Sequence, residues 1–214
     1  MRRLVVGVDG SPGSLAALEW AAQLAGQDAA LDAVHVWPAA SDVLAAAVQV
    51  DSERLRRDAD DQLRGAWTAA VRRQVRELHC ELLDGDPAGA LAGAADRLGA
   101  EAIVVGRHGR SGPAASTVGH VTAALVRHAT RPVIVVHEQP ARRLERGERI
   151  VVGLGHGPAG RAALHWAADL ARARGMGLSL VRTVGLPSLL RAEGLVELLA
   201  YTIDPGALKD WAEE

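Results

Sequence analysis

The chain carries a long internal repeat, and that repeat constrains its fold more than any single motif. Arg3-Leu-Val-Val-Gly-Val opens one copy and Arg149-Ile-Val-Val-Gly-Leu opens another. The match continues through Pro12 and Pro158, Ala16-Ala17-Leu18 and Ala162-Ala163-Leu164, and Trp20-Ala21-Ala22 and Trp166-Ala167-Ala168. It reaches Leu24-Ala25 and Leu170-Ala171, and after one inserted residue Leu31–Val36 aligns with Leu178–Thr183. An offset of about 146 residues is a whole domain, not the short period of a solenoid.

Each copy begins with an apolar strand, a turn rich in Gly, Ser or Pro, a helix and a second strand. In the first copy these are Leu4–Val8, a helix with Leu15, Leu18, Ala22 and Ala25 at helical spacing, and Leu31–Val36. A charged amphipathic stretch over 51–73, with Leu55, Leu63, Ala66 and Trp67 on one side, reads as a helix. Leu78–Leu83 reads as a strand. Asp86 then caps a helix whose first position is Pro87. Ala102–Val105 is a β-branched strand, a Gly-rich loop covers Gly106–Val118, a helix spans Gly119–Thr130, and Val133–Val136 is the last strand. Strands alternating with helices predict an α/β fold with an open, doubly wound, five-stranded parallel sheet. Residues 1–138 form this domain. Residues 139–148, charged and holding Pro140 and Gly147, read as a linker. Residues 149–214 hold an incomplete second copy, strand–helix–strand with a helical tail over Leu189–Leu199.

Composition excludes several function classes. Apolar residues make up 49% and charged residues 23%, with a formal net charge of −2, so neither disorder nor a basic nucleic-acid surface is indicated. The apolar runs are too short to span a membrane. Arg2 and Arg3 before Leu4–Val8 imitate a signal peptide, but the run is too short and Asp9 ends it. A single cysteine, Cys80, rules out an internal disulfide framework and reads as a core thiol. Trp20 and Trp166, at equivalent helix positions, read as core. A soluble cytoplasmic protein is expected.

In an open parallel sheet, ligands bind beyond the carboxyl ends of the strands. Two stretches are placed to meet there: Val8-Asp9-Gly10-Ser11, and Gly106-Arg107-His108-Gly109 with its continuation Gly119-His120-Val121-Thr122. Glycines let backbone amides approach an anion, and a helix N-terminus adds unpaired N–H groups and a partial positive charge. Such a site needs no lysine, which suits a chain whose only lysine is Lys209. The bland alternative makes Gly106 and Gly109 simple turn residues. His108, His120 and Asp9 do not form the dense cluster that a metal requires, and no metal is expected. No second acidic residue occurs within Gly106–Thr130, which speaks against efficient hydrolysis. The second copy has Gly155-His156-Gly157 where the first has Asp9-Gly10-Ser11, and so lacks the carboxylate.

Asp9 after Val5-Val6-Gly7-Val8 resembles the start of a universal stress protein domain. So do Gly85-Asp86-Pro87-Ala88, the spacing Gly106-x2-Gly109-x9-Gly119, and Arg127-His128-Ala129-x-x-Pro132-Val133. The resemblance implies a Rossmann-like fold of the adenine nucleotide alpha hydrolase type and ATP, with or without Mg2+, as a regulatory ligand in a bacterial stress response. It implies that Asp9 meets the ribose and that Val36 offers backbone to adenine, with Val8 and Val105 lining the pocket. Gly106, His108 and Gly109 would wrap the phosphates, and Gly119, His120, Val121 and Thr122 would cap them. His120 departs from the family, which usually has Ser or Thr there; Thr122 is a second candidate hydroxyl. The resemblance also implies a homodimer through the Val133–Val136 edge. The competing reading is a nucleotide-free dimerisation module whose pocket His120 has closed.

Overall fold

The computed structural model describes residues 3–38, 51–110, 118–138, 148–154 and 157–182. Most of the linker and the helical tail lie outside the described residues. The chain divides into two compact units, Met1–Glu148 with Arg172–Gly177, and Arg149–Ala171 with Leu178–Glu214.

The first unit is an α/β domain built on a five-stranded parallel sheet. Strands β1 (Arg3–Gly7), β2 (Ala30–Trp37), β3 (Glu77–Asp84), β4 (Ala102–Gly106) and β5 (Val133–Val136) stand in the order β3-β2-β1-β4-β5. Every neighbouring pair is parallel. Helices α1 (Pro12–Ala25), α2 (Ser52–Gln62), α3 (Pro87–Arg97) and α4 (His120–His128) make the crossovers. Leu4, Val5 and Val6 of β1 and all of β4 are buried, because the central strands of such a sheet are covered on both faces. On one face Val5, Val34, Val36, Ile103 and Val105 pack with Leu91 and Ala95 of α3 and Leu125 of α4.

The helix starts follow local chemistry. The Asp86 carboxylate accepts the Gly89 N–H at 2.8 Å with Pro87 in the first turn, and the Ser11 hydroxyl accepts the Ser14 N–H at 3.2 Å. The expected continuous helix over 51–73 is corrected. It ends at Gln62, and a π-helical turn, Leu63–Trp67, follows. Of the expected apolar stripe, Leu63 is fully buried and Trp67 half-buried, while Leu55 is 40% exposed and Ala66 is exposed. The charged stretch before Leu63 has no buried residue, so packing rather than periodicity fixes this segment. Trp20 and Trp166 are half-buried rather than core, as large indoles often are. Cys80 is half-buried on the edge strand β3, not in the interior.

The remaining elements are β6 (Arg149–Gly153), α5 (Pro158–Arg174) and β7 (Gly177–Val181), which belong to the second unit except for Arg172–Gly177; β6 and β7 form a two-stranded sheet. Gly160, Ala167, Leu170 and Ala171 are the buried positions of α5.

Candidate functional site

The strand order reverses between β1 and β4, so the loops leaving these neighbours diverge and open a crevice at their carboxyl ends. A cavity of ≈ 510 Å³ lies there, within the roughly 300–1,000 Å³ range of small-molecule sites. Every position singled out from the sequence lines it: Val8, Asp9, Val36, Val105, Gly106, His108, Gly109, Gly119, His120, Val121 and Thr122. Ser14, His35, Leu91 and Arg110 line it as well.

Asp9 is the hub of the β1 exit. Its Oδ1 accepts the Ser11 N–H at 3.0 Å, and its Oδ2 accepts the Arg110 N–H at 3.0 Å. One carboxylate therefore joins the loop after β1 to the loop after β4. Burial pushes its pKa up, but hydrogen bonds from Ser11, the Arg110 amide and Ser14 outweigh that, and the net direction is down. Asp9 is thus ionised at neutral pH. The approach demands glycine at 109, where an added Cβ would lie 2.6 Å from Asp9 Oδ2. Gly106 is equally constrained, since a Cβ there would meet the Gly13 carbonyl carbon at 2.5 Å.

His35 is a residue that pattern reading missed. Its Nδ1 lies 2.7 Å from the Val8 carbonyl oxygen, and its ring meets Trp67 edge-on with centroids 5.3 Å apart. Burial, opposed by the Val8 carbonyl and Asp9, holds its pKa below the ordinary value. A carbonyl only accepts, so the neutral ring donates from Nδ1. The signal was a titratable ring among the apolar residues Ala33, Val34 and Val36 of a strand. Arg110 left no such signal, because its contribution to Asp9 is a backbone N–H.

Thr122 requires a correction. Its buried hydroxyl donates to the Gly106 carbonyl at 2.8 Å, tying α4 to the end of β4, so its proton is committed within the fold. His108 is turned partly toward Glu138, with Nδ1 3.8 Å from Oε1. His120 is exposed at the cavity lining, and the cavity stays open beside it. Gly119 caps α4 without a side-chain hydrogen bond, whereas Ser11, Asp51 and Asp86 cap α1, α2 and α3 through their side chains. The first-turn N–H groups of α4 therefore carry no side-chain acceptor from the cap. At Val36 the backbone is equally suggestive. The Val34 carbonyl accepts the Val8 N–H at 2.8 Å, so the Val36 N–H and C=O, two residues on, face the same side, where β1 has already ended. Among the described residues no group of three or more His, Cys, Asp or Glu is placed to hold a metal ion, and no helix is long and apolar enough to cross a membrane.

The family profile described as universal stress protein family matches residues 1–137. The chain belongs to the universal stress protein family. Universal stress protein Rv1996 of Mycobacterium tuberculosis is 30% identical over 193 residues, covering 82% of this chain and 60% of its own length. The chain thus spans about three-fifths of the first curated relatives it matches. Universal stress protein Rv1636 of the same organism is 31% identical over 147 residues, covering 64% of this chain and 96% of the relative. Among solved structures, universal stress protein UspA from Lactobacillus plantarum superposes with a TM-score of 0.50 at 26% identity. It covers 63% of this chain and 97% of that one.

Proposed function

We propose that the α/β domain of residues 1–138 binds an adenine nucleotide, ATP with or without Mg2+, as a regulatory ligand in the bacterial cytoplasm. Occupancy rather than hydrolysis is the output. The observation that carries this reading is one cavity with three kinds of surface. An ionised Asp9 repels phosphate and accepts from hydroxyls, which suits a ribose. The N–H groups of α4 beyond Gly119, with Gly106, Gly109, His108 and His120 around them, suit phosphates without any lysine. Val8, Val105, Val121 and Leu91 form the apolar part, beside the outward-facing backbone of Val36 that suits the edge of a purine. Asp9 is the one carboxylate lining the cavity among the described residues, and it is held by Ser11 and Arg110. Activation of an attacking water has no second carboxylate to draw on.

A homodimer through β5 completes the proposal. Among the described residues β5 ends the sheet with β4 as its only strand neighbour, and Val135 is 40% exposed. That edge also favours the second reading, a nucleotide-free dimerisation module of the same fold. Calorimetric titration with ATP and Mg2+ decides between them, with G109V alongside. We expect saturable binding by the native chain. G109V should bind at least about tenfold more weakly, because its side chain collides with Asp9 Oδ2. No binding by the native chain, or equal binding by G109V, would overturn the nucleotide reading at this cavity.

A further inference from the structure

We propose that nucleotide binding is linked to proton uptake, with His120 as the residue that takes the proton and so sets the pH at which the ligand is held. The inference rests on the nucleotide reading and adds its regulation. Two imidazoles emerge from touching backbone segments at one side of the cavity. Gly119 N–H donates to the Arg107 carbonyl at 2.9 Å, and a Cβ on Gly119 would lie 3.4 Å from His108 Cα. His120, the next residue, is also the first residue of α4, beside N–H groups with no side-chain cap.

The charged and titratable described groups around this region lie on or after β1, β2, β4 and β5. Asp9 follows β1, His35 lies on β2, His108 and Arg110 follow β4, and Glu138 follows β5. Their roles differ. Glu138 accompanies His108, its Oε1 3.8 Å from Nδ1. Asp9 is occupied with Ser11 and Arg110, and the neutral His35 ring is turned to Val8. His120 is the exposed imidazole that remains on the cavity lining. Imidazole is the side chain whose charge changes within the physiological pH range. An anionic phosphate chain beside it favours the protonated ring, so binding draws a proton from solution and affinity rises as pH falls.

The test is ATP titration of the native chain and H120S at about pH 6 and about pH 8, each in two buffers of different ionisation enthalpy. The ligand's own titration is common to both proteins and cancels in their difference. His120 is exposed, so H120S should fold normally. The native chain should bind on the order of tenfold more tightly at the lower pH than at the higher, relative to H120S, and take up a proton that H120S does not. Equal affinity at both pH values, or the same pH ratio in H120S, would overturn the proton linkage and leave the nucleotide reading standing. Binding by H120S alone would also overturn it, since His120 would then be a block. No binding by either protein would remove the nucleotide reading and the linkage together.

Discussion

At the scale of single residues, β2 carries two buried titratable groups with opposite burdens. Burial pushes Asp32 up, opposed chiefly by the Arg3 guanidinium 3.4 Å away, and it pushes His35 down. For His35 the folded state binds its proton less readily than the unfolded chain does. Its contribution is therefore present above the unfolded imidazole range and lost as pH falls through that range toward the lower folded value. Chemical denaturation should give a lower midpoint near pH 5.5 than near pH 7.5, with the difference reduced in H35Q, roughly in line with one imidazole. Asp9, lowered on folding, supports stability above its ordinary 3.8 and loses that support only in stronger acid, so the two effects separate along the pH axis. What the sequence shows at this scale is uneven. Asp9 and the glycines were legible because side-chain type and spacing carry their message. The Asp9–Arg110 contact was not, because its donor is a backbone amide, and Thr122 read as a ligand contact because a hydroxyl's partner is set by the fold.

At the scale of elements, α4 is held to β4 by one hydrogen bond with a defined consequence. In T122V the Gly106 carbonyl loses its buried donor while the shape of the side chain is kept. The loss should be about 1–3 kcal/mol, seen in urea denaturation with an unchanged slope. A neutral outcome would mean that the hydroxyl does not fasten the helix. Strands and caps were the most readable elements. Apolar runs bounded by turn residues located β1, β4 and β5, and Asp86-Pro87 marked the start of α3 to the residue. The segment after α2 was not readable. Its hydrophobic spacing is that of a helix, yet the π turn at Leu63–Trp67 lets Trp67 lie against Gly10, where an added Cβ would be 2.5 Å from the indole. That arrangement depends on a loop distant in sequence, and local periodicity does not encode it.

At the scale of the whole molecule, the exposed β5 edge makes a prediction about assembly. V135K places a charge on the edge strand and should convert the proposed dimer to a monomer in sedimentation while leaving ATP binding in place. A native chain that is already monomeric at micromolar concentration would remove the dimer from the proposal. The repeat of Trp and flanking alanines in register is plain in the sequence, but what residues 149–214 contribute is not, because their counterpart of the Asp9 turn holds no carboxylate. The strand order has one more consequence. β1 is synthesised well before one of its two neighbours, β4, which lies about a hundred residues later in the chain. The crevice between them therefore does not exist on the ribosome until the chain has passed α4, and a small molecule that fits it has nothing to hold earlier. Such a ligand rewards the finished unit and plays no part in nucleating it, so its abundance would set how long the completed fold survives rather than how fast it is reached.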